Sequence, residues 1–130
     1  MDFITISWKH IDLAVNTLVR LLKHSGMKFD GIYGVPRGGL IPAVMLSHYL
    51  QLPLLLYPTK KTLVVDDISD TGLTLNSFKD RTIVTIAYTK WTSVKPTFSI
   101  YEKHKKDSWL IFPWEHYDSA QKTLKDYNIR

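Results

Sequence analysis

The sequence of 130 residues contains no cysteine. This absence excludes disulfide bonds, thiolate metal ligands and a thiol nucleophile, and it fits a reducing compartment. The five histidines form neither a His-x-His pair nor an HExxH motif, so each is interpreted as a surface or hydrogen-bonded histidine. Neither a GxSxG motif nor a Walker loop occurs. The corresponding serine-hydrolase, zinc-protease and P-loop chemistries are therefore not expected.

Long hydrophobic runs are also missing, since no segment approaches the ~18 apolar residues of a membrane helix. The segment MDFITISWKH lacks the charged and then apolar regions of a secretory signal, so a cytoplasmic protein without a membrane partner is expected. With 45% hydrophobic and 22% charged residues, the composition is that of one globular domain.

The formal net charge is +5, which favours polyanionic partners. The densest basic cluster comprises Lys103, Lys105 and Lys106 and lies beside Asp107. This cluster is interpreted as a solvated loop, with electrostatic steering of a polyanionic substrate as the alternative. No nucleic-acid partner is expected.

Helical and strand patterns alternate over the first part of the chain. Apolar spacing from Ile11 to Leu22 predicts a helix that stops at Gly26, and Leu40–Leu50 predicts a second helix. A short third helix is expected at Leu73–Phe78. The predicted strands are Ile4–Ser7, Gly31–Val35, Leu54–Tyr57, Thr62–Val65 and Thr82–Tyr88. This alternation predicts the α/β class, with a parallel sheet flanked by helices.

The pattern changes after Lys90. Trp91–Ile111 has short mixed segments with many aromatics, and Trp114–Asp126 has an amphipathic helical pattern. A single domain is expected, with a core of about residues 1–90 and a small C-terminal hood of about residues 91–130.

The stretch Thr62–Thr74 carries the strongest chemical signal. An apolar strand runs into Asp66 and Asp67, and Asp70 and Gly72 follow before the predicted helix. In open α/β sheets, ligands bind beyond the carboxyl ends of the strands, and a loop that opens into a helix suits a phosphate. The acid pair can accept hydrogen bonds from sugar hydroxyls or hold Mg²⁺ that a ligand's phosphates share. A surface turn with a capping residue is the alternative, but it explains neither the acid pair nor the glycine.

This stretch resembles the ribose-phosphate loop of the type I phosphoribosyltransferases: an apolar strand, two acids, two variable residues, then Asp/Thr–Thr/Ser–Gly. The resemblance implies binding of 5-phosphoribosyl-1-pyrophosphate (PRPP), with Mg²⁺ held at Asp66 and Asp67. The phosphoribosyl-binding residues it implies are Asp66, Asp67, Ser69, Asp70, Thr71, Gly72, Leu73 and Thr74.

A second segment, Gly34–Ala43, resembles the pyrophosphate loop of the same family. The resemblance implies that Arg37, Gly38 and Gly39 bind pyrophosphate, with a non-proline cis peptide bond at Arg37-Gly38. A simple strand-to-helix turn is the alternative interpretation of this segment alone.

The position of Asp70 indicates the base. Family members that act on 6-oxopurines carry Asp there, which implies that Asp70 lies near purine N7 as a candidate proton acceptor and catalytic group. A pure helix cap is the alternative. An aspartate at this position therefore favours guanine, xanthine or hypoxanthine as the base.

Three later segments resemble the bacterial and archaeal xanthine-guanine and hypoxanthine phosphoribosyltransferases. They are Val84–Lys90, Pro96–Glu102 and Asp107–Glu115. The resemblance implies that Lys90 recognises the 6-oxo group, that Trp109 stacks on the base, and that the backbone of Leu110 reads the 2-position. Core packing is the alternative for Trp109 and the preferred interpretation of Trp114.

One departure concerns the flexible lid that known purine members insert between two core strands. Here only Tyr57–Lys61 lies between the predicted strands, which is too short for a lid that excludes water. Turnover is then expected to be slow, leaky or completed by a neighbouring subunit. Lys60 and Lys61 are interpreted as a solvated turn, or as a partial substitute that neutralises pyrophosphate.

The expected function is purine salvage by transfer of phosphoribose to a 6-oxopurine, in a homodimer or higher homo-oligomer. The alternative is a regulatory protein that binds PRPP or a nucleotide and has little transferase activity. Salvage of a non-purine base is a third possibility.

Overall fold

The computed structural model describes residues 1–116. The elements are β1 (Asp2–Thr5), α1 (Trp8–Ser25), β2 (Ile32–Gly34), α2 (Leu40–Leu50), β3 (Leu63–Ser69), a 3₁₀ helix (Thr74–Phe78), β4 (Ile83–Tyr88), β5 (Phe98–Glu102) and β6 (Ser108–Ile111). The predicted helix Trp114–Asp126 begins in a turn at Trp114 and from residue 117 onward lies outside the described residues.

Four parallel strands form the main sheet in the order β2-β3-β4-β5, which confirms the predicted α/β class. The sheet continues past Lys90, where the sequence predicts that the core ends, because β5 pairs with β4. Strand β1 pairs with β6 in a separate two-stranded parallel sheet. The first strand therefore supports the segment that carries Trp109 and Leu110.

Helix α1 ends at Gly26 as its sequence predicts, and its start is fixed by a cap at Ser7. The Ser7 hydroxyl accepts a hydrogen bond from the His10 backbone N–H at 3.2 Å, and the Ser7 N–H donates to His10 Nδ1 at 3.0 Å. These two bonds form a capping box and satisfy N–H groups at the helix start. At the other end, Gly26 adopts a left-handed conformation with φ of 72°, and its N–H donates to the Lys23 carbonyl.

The two faces of the main sheet bury different side chains. Val65, Val84 and Ile86 belong to the core that includes α1 and α2. Val64 and Ile83 belong to the second core, which includes residues of the 3₁₀ helix. Successive residues of a strand point to opposite faces, so this alternation holds the carboxyl ends of β3 and β4 between two packed layers.

The segment between α2 and β3 differs from its prediction. Only Leu54 makes a bridge, to Ile32, so Leu54–Tyr57 does not form a full strand. Its last part is fixed, because Thr62 Oγ1 donates to Asp30 Oδ1 at 2.8 Å and the Thr59 hydroxyl also donates to Asp30.

Among residues 1–116, no helix has both the length and the apolar character needed to cross a membrane.

Candidate active site

Asp66 and Asp67 lie on β3 itself, not in a loop as the sequence predicts. The strand continues to Ser69 because Asp66 pairs with Thr85 and Ile68 pairs with Ala87 of β4. Asp66 is buried, and its Oδ1 accepts the N–H of Asp67 at 2.8 Å. The strand pairing therefore fixes both carboxylates at the carboxyl edge of the sheet.

The electrostatics of the acid pair suit a bound cation. Burial and the neighbouring Asp67 charge raise the pKa of Asp66 to about 9, and burial also raises the pKa of Asp67. A cation near the pair would favour the charged forms. No group of three metal-ligating side chains occurs within residues 1–116, so a metal here needs oxygens from a ligand or water. Mg²⁺ binds in this way, through one or two carboxylates and substrate phosphates.

The segment after β2 lies directly against the acid pair. The Val35 N–H donates to the Val65 carbonyl at 2.8 Å, and the Gly39 N–H donates to the Val35 carbonyl at 2.9 Å. A β-carbon on Gly39 would overlap the Val65 carbonyl oxygen, and one on Gly38 would overlap the Asp67 carboxylate. Both glycines are therefore required by close approach, and the predicted pyrophosphate and ribose residues are neighbours.

The cis peptide bond in this loop is Pro36-Arg37. The prediction of Arg37-Gly38 is wrong by one bond, because sequence resemblance marks the loop but does not distinguish adjacent peptide bonds. Arg37 itself is exposed at the mouth of the site.

The loop after β3 is exposed to solvent on one side and hydrogen-bonded to Ser93 on the other. Gly72 has a φ of 90°, and a β-carbon on it would overlap the Ser93 hydroxyl. The Ser93 N–H and hydroxyl donate to the Thr71 carbonyl at 2.9 and 3.0 Å. Thr71, Leu73 and Thr74 are exposed, so their backbone and hydroxyl groups can reach a ligand.

Two details of this loop differ from the predictions. The following helix is a 3₁₀ helix of five residues, so its dipole is small and the loop's own donors must supply most of any phosphate binding. The Ser69 side chain is buried, and its hydroxyl donates to the Val94 carbonyl at 2.7 Å. That hydroxyl therefore supports the loop from behind.

Asp70 is held by three side chains. Trp91 Nε1 donates to Oδ1 at 3.0 Å, and Lys103 Nζ donates to Oδ2 at 2.8 Å. The Thr89 hydroxyl donates to the Asp70 carbonyl at 2.6 Å. No side chain caps the 3₁₀ helix, whose N-cap residue is Leu73, so Asp70 is not a helix cap.

One small cavity is bordered by Asp67 of the acid pair and by the predicted base residues Trp109 and Leu110. Its lining residues are Asp67, Ile68, Asp70, Lys103, Trp109, Leu110, Phe112 and Glu115. Trp109 and Leu110 lie on β6, where they pair with Phe3 and Ile4 of β1. The cavity therefore holds the predicted proton acceptor and the predicted base contacts together.

Trp114 lies behind this cavity as a packing residue. Its ring stacks on Phe112 at 5.1 Å and contacts the Trp8 ring edge-to-face at 6.0 Å. It also packs against the main core, in agreement with its interpretation from the sequence.

The structure does not bring Lys90 to this cavity. Its side chain is 79% exposed, and its Nζ lies 3.7 Å from Glu102 Oε2. It lines a different cavity, together with Lys95 and Phe98. Lys103 lines the cavity with Asp70 and Trp109 instead and is 5% exposed, so its interpretation as part of a solvated loop is wrong. The signal that identifies it is its position directly after β5, at the same sheet edge as Asp70.

Comparisons with known proteins agree with this geometry. No protein-family model matches the chain. A purine phosphoribosyltransferase from Pyrococcus horikoshii is 33% identical with a TM-score of 0.77, covering 90% of this chain and 97% of that one. A xanthine-guanine phosphoribosyltransferase from Idiomarina loihiensis is 27% identical and aligns over 85% of each chain. The chain belongs to the type I phosphoribosyltransferase family of glycosyltransferases.

A more distant structure shares only the fold. This Neisseria gonorrhoeae protein, solved with bound ppGpp, is 18% identical with a TM-score of 0.69, covering 99% of this chain and 98% of that one.

Proposed function

We propose that this protein is a purine salvage enzyme that transfers phosphoribose from PRPP to N9 of guanine, xanthine or hypoxanthine and releases pyrophosphate. The observation that carries the proposal is the single cavity in which Asp67, Asp70 and Trp109 meet. Asp67 is predicted to hold ribose and Trp109 to stack on the base, so their meeting at one cavity matches a ribose joined to a base. The names of the relatives support a purine as that base.

The phosphoribosyl half is assigned to the carboxyl edge of β3. Asp66 and Asp67 accept hydrogen bonds from the ribose hydroxyls and hold Mg²⁺ together with the oxygens of PRPP. When bound at these carboxylates, Mg²⁺ would supply positive charge that offsets the charge of the leaving pyrophosphate. Thr71, Gly72 and Thr74 address the 5′-phosphate through N–H and hydroxyl donors.

The pyrophosphate half is assigned to the loop after β2. Gly38 and Gly39 leave room for the leaving group beside the acid pair, and the exposed Arg37 adds a positive charge. At the same end of the site, burial and then the Asp67 charge raise the pKa of Glu115, and the Phe112 N–H and the Arg37 charge offset part of that rise.

The transfer step uses the chain's own acid. The C1′–oxygen bond to pyrophosphate breaks as the N9 lone pair forms the new bond to C1′. The base reacts as the tautomer with its proton on N7, and the Asp70 carboxylate accepts that proton. Trp91 and Lys103 donate hydrogen bonds to the Asp70 carboxylate and fix its orientation. This positioning of the proton acceptor contributes to the rate of transfer. Trp109 stacks on the base, and the Leu110 backbone contacts its 2-position.

The alternative function is regulation by a bound nucleotide or PRPP without efficient transfer. The short segment between the Leu54 bridge and β3 favours it, because residues 55–62 leave little chain for a closing lid. In a family enzyme this segment would leave the reaction open to water.

One assay separates the two functions. Protein, Mg²⁺ and PRPP are mixed with guanine, xanthine, hypoxanthine, adenine or uracil, and nucleotide formation is followed. Product with the 6-oxopurines supports the transferase. Tight binding of PRPP or ppGpp by calorimetry, with no product from any base, would support regulation instead.

A further inference from the structure

We infer that Lys103, on the segment after β5, is the residue that selects a 6-oxopurine over a 6-aminopurine, and that Lys90 is not. This inference rests on the proposed function, since it names how that site recognises its base. The observation behind it is a buried ammonium group that shares one cavity with Asp70, Trp109 and Leu110.

The burial of Lys103 requires an explanation. Its side chain is 5% exposed, whereas that of Lys90 is 79% exposed. Lysine is almost never buried unless it is paired, because removing an ammonium from water is unfavourable. Asp70 supplies the pairing at 2.8 Å. The pair lines a cavity. A simple surface ion pair would not need a buried lysine, since Lys105 and Lys106 of the same segment are exposed.

The position of the ammonium is fixed from several sides. The Lys103 N–H donates to the Tyr88 carbonyl at 2.8 Å, which ties the start of the segment to the end of β4. The Trp91 ring lies 6.0 Å from Nζ, within cation–π range. Trp91 also donates to the same Asp70 carboxylate. The ammonium and the carboxylate are therefore placed side by side before any base binds.

The pair is complementary to one edge of a 6-oxopurine. Purine N7 and the 6-oxo oxygen are neighbours on that edge. With a proton on N7, the edge presents a donor beside an acceptor. Asp70 can accept from N7, and Lys103 can donate to the oxygen, because an ammonium has three N–H groups and only one is used by Asp70. A 6-amino group presents a donor to Lys103, which has no acceptor to offer.

The test compares inosine monophosphate with adenosine monophosphate. N7 carries no proton in either nucleotide, so the comparison isolates the pyrimidine edge with the 6-substituent that Lys103 would contact. Calorimetry measures both affinities for the unaltered protein and for Lys103→Met, Lys90→Met and Lys105→Met. Lys105 is the matched control, since it is an exposed lysine of the same segment that pairs with Asp2. PRPP affinity and thermal unfolding are measured for each variant.

We expect the preference for inosine monophosphate to fall about 10- to 100-fold in Lys103→Met, the range of a hydrogen bond to a charged group. PRPP affinity should change little, and Lys90→Met and Lys105→Met should keep the preference. Should Lys103→Met fold poorly, Lys103→Met combined with Asp70→Asn removes both charges and leaves none buried alone. That double variant should lose the preference as well.

The inference is overturned if the folded Lys103 variants keep the preference, if Lys90→Met loses it, or if the unaltered protein binds both nucleotides equally. These readouts need no turnover. A protein that forms no nucleotide from any base, yet loses its preference in Lys103→Met, would disprove the proposed transfer and leave the role of Lys103 standing.

Discussion

Gly38, in the loop after β2, lies directly against Asp67 of β3. A β-carbon on Gly38 would lie too close to Asp67 Oδ2 for two unbonded atoms. The predicted pyrophosphate residue Gly38 is therefore in direct contact with Asp67, the predicted ribose and metal residue. Changes on either side of this contact are expected to affect binding of the whole PRPP molecule.

Gly38→Ala should weaken binding of PRPP in the presence of Mg²⁺ by about 10- to 100-fold. The added methyl group must displace the loop or the Asp67 carboxylate, and a displaced group no longer has the geometry to bind the ligand. The dissociation constant from calorimetry checks this. Gly26→Ala is the control: Gly26 has a positive φ and no atom within 4 Å of a β-carbon. It should lose about 1 kcal/mol of stability with unchanged PRPP affinity. Equal affinity for Gly38→Ala and the unaltered protein would contradict the contact.

Asp70→Asn should lower the rate of nucleotide formation about 100- to 10,000-fold, the usual contribution of general acid–base catalysis. PRPP affinity should change only a few-fold, since Asp70 faces Trp91 and Lys103 on the base side. Steady-state rates and calorimetry measure the two quantities separately. A parallel loss of rate and affinity would identify Asp70 as a binding residue.

Removal of Mg²⁺ with a chelator should weaken PRPP binding about tenfold or more, because the acid pair cannot bind the phosphates of PRPP without a cation between them. Asp67→Asn should make the remaining affinity nearly independent of Mg²⁺. Asp12→Asn, on the exposed side of α1, serves as the control and should keep the dependence. A dependence that survives in Asp67→Asn would place the metal elsewhere.

Acid should destabilise the protein partly through Asp30. Hydrogen bonds from Thr59 and then Thr62 lower the pKa of this carboxyl below its usual 3.8. The unfolded chain therefore binds more protons than the folded one just below this pH, and stability falls as the pH falls. Urea unfolding of the unaltered protein should show this loss below pH 3.8, and Asp30→Asn should show less of it. Identical pH profiles would exclude the contribution.

Much of the architecture is predictable from local patterns. Helix α2 spans the same residues as predicted, and α1 ends at Gly26, because apolar spacing and a left-handed glycine are local signals. The fold class follows from the alternation of these elements. The two glycine loops are also found by sequence, since close approach leaves only glycine at Gly38 and Gly72.

The remaining features depend on partners distant in the chain. From the sequence, β3 is expected to end before the two acids. In the structure the strand continues to Ser69, because its residues pair with β4. Lys103 looks like its exposed neighbours in sequence, and only the position of Asp70, on another strand, explains its burial. The pairing of β1 with β6 likewise joins segments that no local pattern connects.

That pairing of β1 with β6 has a consequence for how the protein is made. The strands of the proposed phosphoribosyl site, β2 to β4, are complete once residue 88 has left the ribosome, whereas β1 must wait for residues 108–111. The side proposed to contact the base is then the last to assemble during synthesis. A protein that lacks residues 1–5 should keep the sheet proposed to bind PRPP but lose the strand that pairs with Trp109 and Leu110. We therefore expect it to bind PRPP without selecting a base.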